Sequence, residues 1–493
     1  MTSLLEVPGR VLATESKTVV PHAFDVPAGV DALELAFDYG PRRCVDVDVV
    51  RPLVRDAIET HLATCSPARR AEVEPRLEEL ESRITQSGLN NLLNVTLIDP
   101  SGVWRGRWDR NPSSASGTLT LSAEGASKGF IPGAIEAGRW TAVVEVHGVF
   151  GAPVDYQLRI DSGVARAPAP VATTDIEPGR PHRETWGDAG RRWFLGEMHS
   201  HSHHSDGAHE IVELAHRASR IGLDFLCITD HNATSGFAEL DDLPITIVRG
   251  SELTTFFGHA PIYGLDRTEP WHEDGAVLPF ATVARRARDR GAIVSVAHPF
   301  KLGDPLCTGC RMTSDYAPDD VNAMEVWYRT WDGADWDNRA AYAAWNAAWA
   351  AGHRLTAVAA RDWHGPAQET PFPGDAPFTA ILADDASEAS ILAGLRAGRV
   401  IMTGGPLLTL DLEDATIGDV VEHRPGRRFT CRVEGRDRGS HLTVYRNNEK
   451  FFMTPVVENG TTIVSGEVTP GWYRAELWLD GAPRAITNHV VVE

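Results

Sequence analysis

One stretch, residues 194–232, constrains this chain more than any other: FLGEMHSHSHHSDGAHEIVELAHRASRIGLDFLCITDHN. It opens on the apolar pair Phe194 and Leu195 and then delivers His199 and His201. Residues two apart in an extended segment point to the same side, so one short strand aims both imidazoles at one place. Asp206-Gly207 marks a loop. From 209 to 221, Ile211, Leu214, Ala215, Ala218 and Ile221 recur at helical spacing. FLCITD then reads as a second strand ending in Asp230 and His231. The stretch is a βαβ unit with metal-type side chains at strand C-terminal ends.

At 493 residues the chain is too long for one core, and two to four domains are expected. Its 47 Lys and Arg against 68 Asp and Glu give a net charge of −21, which argues against a nucleic-acid or anionic-membrane partner. A small-molecule substrate is expected instead. The six cysteines are thinly spread, with only Cys307 and Cys310 close together, a pattern that fits a reducing compartment. The pair reads first as inert thiols, with a redox couple, half a zinc site or a loop staple as the alternatives. No apolar run approaches the roughly 20 residues of a membrane span, and the first residues lack a secretory pattern. A cytoplasmic location is the expectation.

Residues 1–164 read as a β-rich domain, a sandwich with a helical insertion at 51–84 that Pro67 and Pro75 break. Packing or homo-oligomerisation is the role expected of the β-rich parts. Residues 165–190 have linker composition. Residues 191–405 alternate strand candidates (194–199, 224–230, 245–250, 260–264, 292–297, 322–327, 355–360, 378–383) with helical ones (209–221, 277–290, 335–351, 387–397). That alternation implies a mainly parallel sheet, open or closed, with its site at the strand C-termini. Residues 406–493 return to β patterning and read as a terminal β-sandwich.

The strand ends collect His199, His201, Asp206, His231, Glu252, His259, His298, Asp362 and His364. Two pairs, His199/His201 and Asp362/His364, use the two-residue spacing that shares a strand face. A carboxylate such as Glu252 has two oxygens and can bridge two ions. The mixed nitrogen and oxygen set suits Zn, Mn or Fe, and is too rich in imidazole for Ca or Mg alone.

The series HSHSHHSDG, ITDHN, GSEL with GHAPIYGL, AHP, MEV and RDWH, spread over 191–405, resembles the PHP (polymerase and histidinol phosphatase) superfamily. The resemblance implies a distorted (β/α)7 barrel carrying a trinuclear centre of two to three divalent ions. It assigns His199, His201, Glu252 and Asp362 to one ion, with Glu252 bridging to a second held by His259 and His298. Asp206, His231 and His364 would hold the third, and Asp230 would orient an imidazole. The β-rich flanks, DPLCTGC at 304–310, the Trp-rich helix at 336–349 and ITN at 486–488 are similar to the CehA/McbA-like branch, which includes aryl carbamate hydrolases. Such proteins usually carry a small residue before the Asp of the DxH motif, where this chain has Arg361.

A metal-dependent hydrolase of small-molecule esters follows. A metal-bridging hydroxide is the expected nucleophile, since clustered cations lower the pKa of bound water. His203 and His204, beside the ligand loop, are candidates to assist the leaving group. Arg361 either reaches a substrate anion or turns outward. Lys301 and Arg329 flank ligand-bearing strand ends and suit a phosphoester. Trp327, Trp363 and a lid helix within 327–350 would suit an aryl carboxyl ester or carbamate. Phosphoester hydrolysis is the leading reading and carboxyl-ester or carbamate hydrolysis the alternative. A non-catalytic metal-binding scaffold is the second alternative.

Overall fold

The computed structural model describes residues 2–108, 118–163, 192–370, 374–435, 439–456 and 460–493. The expected linker at 165–190 lies outside these residues.

Near the N-terminus, two four-stranded antiparallel sheets lie face to face. One orders strands Ser3–Val11, Val154–Gly163, Ala32–Gly40 and Thr118–Ser122, and the other Thr18–Val26, Gly138–Gly148, Leu92–Ile98 and Trp104–Trp108. Alternating side chains meet between them, among them Leu35, Phe37, Val95, Trp108, Trp140 and Leu158. The helical insertion is a hairpin, α1 (Val47–Leu62) and α2 (Pro67–Ser87). Ser66 caps α2 through the Arg69 amide, and Pro67 occupies the first turn, where a missing N–H is harmless. Pro75 does not break the helix as its sequence suggests. It sits inside α2, where Val73 and Leu77 are fully buried in the hairpin core.

The strands of residues 192–403 form one curled sheet in the order Thr356–Ala360, Ala323–Tyr328, Ile293–Val296, His259–Tyr263, Thr246–Thr254, Phe225–Ile228, Arg192–Ser200, Phe378–Ala383, Val400–Thr403. It is covered by α3 (Ile211–Arg220), α4 (Phe280–Asp289), α5 (Asn338–Ala350) and α6 (Glu388–Arg396). On α3 the periodic residues Ile211, Leu214, Ala215 and Ala218 are all fully buried, as their spacing requires.

The sheet is less uniformly parallel than strand–helix alternation implies. Thr246–Thr254 turns directly into His259–Tyr263 as an antiparallel hairpin, because four connecting residues are too few for a parallel crossover. The closure is also partial. At the Thr356–Ala360 edge, side chains take over from a strand partner. Thr379 Oγ1 accepts from the Ala359 amide (2.9 Å) and donates to its carbonyl (2.8 Å). Asn488 does the same for Ala357, at 2.7 and 2.8 Å, and also donates to the Val400 carbonyl.

The C-terminal strands extend this sheet. Ile401–Thr403 pairs with Ala485–Thr487, and the ladder continues through Gly471–Leu479, His441–Arg446 and Glu449–Pro455. A separate four-stranded sheet including Leu407–Leu412 and Arg428–Gly435 packs on it through Leu408, Leu410, Phe429, Tyr473 and Leu477. No helix among the described residues is long and apolar enough to cross a membrane.

Candidate metal centre

The nine expected ligands converge at the C-terminal ends of the curled sheet. Their donor atoms fall into four overlapping groups, each within 4.8 Å: His201/Asp206/His231/His364, His199/Glu252/His298, His199/His201/Asp362 and His231/Glu252/His259. Glu252 is the hub. Its Oε1 lies 3.1 Å from His199 Nε2, 3.3 Å from His259 Nδ1 and 3.6 Å from His298 Nε2. Its Oε2 lies 2.7 Å from His231 Nδ1. Asp362 Oδ1 is 3.1 Å from His201 Nε2 and 3.3 Å from His364 Nδ1, and Asp206 Oδ1 is 3.2 Å from His364 Nε2.

Local backbone geometry creates this convergence. His298 (φ 25°), Arg329 (φ 50°) and Asp362 (φ 53°) each lie one or two residues past a strand end in the left-handed region, where a side chain costs on the order of 1–3 kcal/mol.

The inventory fits divalent ions. Both oxygens of Glu252, His199 Nε2 and His259 Nε2 are buried and, close as they lie to neighbouring ligand atoms, none makes an aligned hydrogen bond among the described residues, and a buried polar atom left so costs about 1–3 kcal/mol. Burial, then the neighbouring imidazoles of His364 and His231, pushes His201 down to about 3, and burial pushes His259 down to about 4. Both rings therefore present neutral lone pairs at pH 7. Burial resists charge on Glu252 and Asp362, but the surrounding imidazoles outweigh it and hold both carboxyls well below the usual range. At His199, burial is likewise outweighed by Glu252, Glu325 and Asp362, and the pKa rises well above its ordinary value. An ionised, imidazole-lined pocket of this kind attracts cations.

The outer contacts fix the rings. Glu325, which the sequence reading quoted in MEV but gave no role, accepts from His199 Nδ1 at 2.7 Å and from the His298 amide at 2.7 Å. The Cys310 carbonyl holds His298 Nδ1 at 3.0 Å. Thr254 Oγ1 is 2.6 Å from His231 Nδ1. Tyr328 donates to Asp362 Oδ2 at 2.8 Å, beside Lys301 Nζ and Arg329 Nη2, each 3.4 Å from the same oxygen. A carboxylate inside the apolar strand AMEVWY was the signal available for Glu325. Asp230 touches no imidazole. It accepts from the Ser202 amide and from Ser202 and Ser205 hydroxyls, and Ser205 Oγ is 3.5 Å from His201 Nδ1, so it acts on the ring through that serine.

Several substrate-facing expectations do not survive the geometry. Arg361 turns away: its guanidinium is spent on the carbonyls of Pro377, Ala376 and Thr370 and stacks 3.6 Å over Phe378. His204 is buried between Ser235 Oγ (2.8 Å) and Glu239 (3.1 Å). His203 is half-exposed and paired with Glu210 at 3.0 Å. Trp327 and Trp363 are core residues, 1% and 0% exposed. Helix α5 is not a lid, since Ala341, Trp345 and Ala348 are buried against the sheet. Cys307 and Cys310 form a disulfide.

Fold and site together define an α/β sheet with a candidate polynuclear metal centre at its strand ends. Residues 197–274 match the PHP domain family, and that segment carries six of the nine clustered residues, His199, His201, Asp206, His231, Glu252 and His259. The match supports the PHP superfamily. No curated protein matches the chain. Among solved structures, a two-domain Bacteroides vulgatus protein containing a predicted PHP-like metal-dependent phosphoesterase is 16% identical, with TM-score 0.39, over 63% of this chain and 99% of its own. A Bifidobacterium adolescentis protein named for a metal-dependent phosphoesterase is 17% identical, TM-score 0.28, over 36% and 89%. An amidohydrolase from Chromobacterium violaceum with bound sulfate and no metal is 17% identical, TM-score 0.25, over 36% and 89%. Likenesses this distant carry no argument about activity.

Proposed function

We propose that the chain is a metal-dependent hydrolase of small-molecule phosphoesters, with residues 191–405 as its PHP-type catalytic domain and two β-rich appendages. The observation that carries the phosphoester reading is the pairing of Lys301 and Arg329 at Asp362 Oδ2, on the rim of the histidine cluster. The expected aromatic walls, Trp327 and Trp363, are buried in the core instead.

Three ions are the proposed complement, and Zn, Mn and Fe all suit the donors. His199, His201, Glu252 and Asp362 would hold one, Glu252 with His259 and His298 a second, and Asp206, His231 and His364 a third. When bound, such ions lower the pKa of water toward neutrality and stabilise charge on the oxygen of the bond under attack. The chain's own part is arrangement. Glu325 and Cys310 hold the far nitrogens of His199 and His298, which leaves each ring's Nε2 facing Glu252. Lys301, and the part of the Arg329 guanidinium left beyond its bonds to the Arg361 and Asp362 carbonyls, would be the cationic donors to a phosphate anion.

Carboxyl-ester or carbamate hydrolysis on the same centre is the second reading, favoured by the sequence features shared with the CehA/McbA-like branch. The deciding experiment is a panel of p-nitrophenyl phosphate, bis-p-nitrophenyl phosphate, p-nitrophenyl acetate and an aryl carbamate, with Mn, Zn or chelator. Phosphoester turnover that chelator abolishes and Asp362→Asn removes supports the proposal. Chelator-resistant turnover, or acyl turnover alone, refutes it.

A further inference from the structure

A cleft of about 340 Å³ reaches Asp206, His231 and His259, and much of its wall is not supplied by the metal-binding segment. Arg43, Ile84, Leu89 and Leu92 from the N-terminal part line it, together with Leu306 from the disulfide loop. We propose that this wall is a leaving-group subsite, taking a planar apolar ring whose far end carries a hydrogen-bond acceptor. The inference rests on the ester-hydrolase reading above and extends it to the identity of the leaving group.

The chemistry of the wall sets the ligand class. Ile84, Leu89, Leu92 and Leu306 offer apolar contact on one side, Asn94, Arg107 and His147 form a polar side, and Arg43 supplies an exposed cation at the apolar side. The Arg43 guanidinium is held in place by Asn90 Oδ1 (Nε, 2.7 Å) and the Ser87 carbonyl (Nη1, 3.1 Å). No hydrogen bond from its Nη2 joins it to the described residues. A volume near the lower end of small-molecule pockets, roughly 300–1,000 Å³, suits one fused ring system.

The wall is also rigidly tied to the metal centre. Val54, Leu62, Val73 and Leu77 of the helical hairpin share one core with Leu302 and Ala334, and Leu302 follows Lys301 directly. His61 Nε2 lies 3.1 Å from the Ala334 carbonyl, and the Arg69 guanidinium donates to the Gly333 carbonyl. A preformed wall costs little to order when a ligand arrives, which is the condition for selectivity. This gives the N-terminal part a role beyond packing.

The test compares 4-methylumbelliferyl phosphate with methyl phosphate, because the coumarin ring is planar and ends in a carbonyl. Leu92→Ala and the surface change Arg43→Ala should each lower the ratio of kcat/KM for the two esters on the order of tenfold. Each should also weaken binding of 4-methylumbelliferone alone, followed by its fluorescence, by a similar factor. Unchanged ratios and unchanged affinity in folded variants overturn the subsite. If the wild-type enzyme cleaves neither phosphate, the phosphomonoesterase reading fails, and the 4-methylumbelliferone titration decides the subsite alone. Affinity lost in Arg43→Ala then upholds the subsite, and absence of binding to wild type overturns it.

Discussion

The carboxylate of Glu325 spans two ligand-bearing strand ends: one oxygen is 2.7 Å from His199 Nδ1 and the other accepts the His298 amide at 2.7 Å. Both contacts need an acceptor. Glu325→Gln offers an acceptor to one N–H and turns an NH2 group toward the other, so either the His199 ring or the His298 backbone loses its anchor. Apparent metal affinity should fall about 10- to 100-fold, measured by competition with a chromophoric chelator. Glu325→Asp should recover part of it. Undiminished affinity in Glu325→Gln would show that the rings are positioned without this contact.

Ion binding should also appear as stability. The unpartnered oxygens of Glu252 and nitrogens of His199 and His259 exist as a set only in the fold. Zn or Mn at one hundred times its dissociation constant should add about 2.7 kcal/mol, read as a rise in Tm that EDTA reverses. Elemental analysis should find two to three equivalents, most of them lost in His199→Ala/His201→Ala. Full occupancy in that double variant sinks the assignment.

Lys301 and Arg329 separate the two ester chemistries. Hydrogen bonds to charged groups contribute about 1.5–3 kcal/mol, so Lys301→Ala/Arg329→Ala should raise KM for a phosphomonoester at least tenfold. An aryl acetate, which carries no phosphate charge, should lose much less. Equal losses on both would mean that these cations serve only to hold Asp362.

His489 gives the fold a pH signature away from the site. It is 2% exposed, its ring nitrogens have no hydrogen-bond partner among the described residues, and it packs against Trp345, Trp349 and Trp472. Burial, then Arg474, holds its pKa well below 6.5. The unfolded chain therefore binds the proton first, and stability falls as pH drops below about 6.5, by up to about 1.4 kcal/mol per pH unit. His489→Leu should flatten that part of the Tm–pH curve relative to wild type. Parallel curves between pH 5 and 7 would contradict this.

Glu145 and Arg107 form a buried ion pair at 2.8 Å, with side chains 0% and 1% exposed, and His272 lies 3.2 Å from the other Glu145 oxygen. Removing one charge strands the other in a dry interior. Glu145→Gln should cost about 3–5 kcal/mol, measured by urea unfolding. A loss below 1 kcal/mol would show that Arg107 finds other compensation.

The ligand set was legible because its members sit at, or in the loop just beyond, the ends of strands whose apolar runs are visible in the sequence. His199/His201 and Asp362/His364 also announce themselves by spacing. The strand candidates match the observed ones closely for the same reason. Glu325 was harder to see, since its place in the apolar run AMEVWY marks it as buried but nothing local tells which groups it holds. Trp327 and Trp363 show the converse. An aromatic near a ligand reads as a cavity wall, but Trp363 sits between Asp362 and His364 on the opposite face, and a bulge between Glu325 and Trp327 turns Trp327 out of the face that Glu325 occupies, so both are buried in the core. The hairpin within the α/β sheet was missed because strand–helix alternation is silent about direction. Pro75 misled because proline disfavours helices, while apolar burial around Val73 and Leu77 outweighs that cost.

The shared ladder between Ile401–Thr403 and Ala485–Thr487 bears on how the molecule can be cut. A fragment ending at 405 would keep every metal ligand and still be a poor reagent. Val400, Ile401 and Met402, each 0% exposed, would become a bare apolar edge ready to recruit other chains. The same cut would strip Asn488 from the Ala357 backbone, reopening the seam three residues before the strand that delivers Asp362 runs out. The last ninety residues are a structural splint for the centre, and a minimal fragment has to include them.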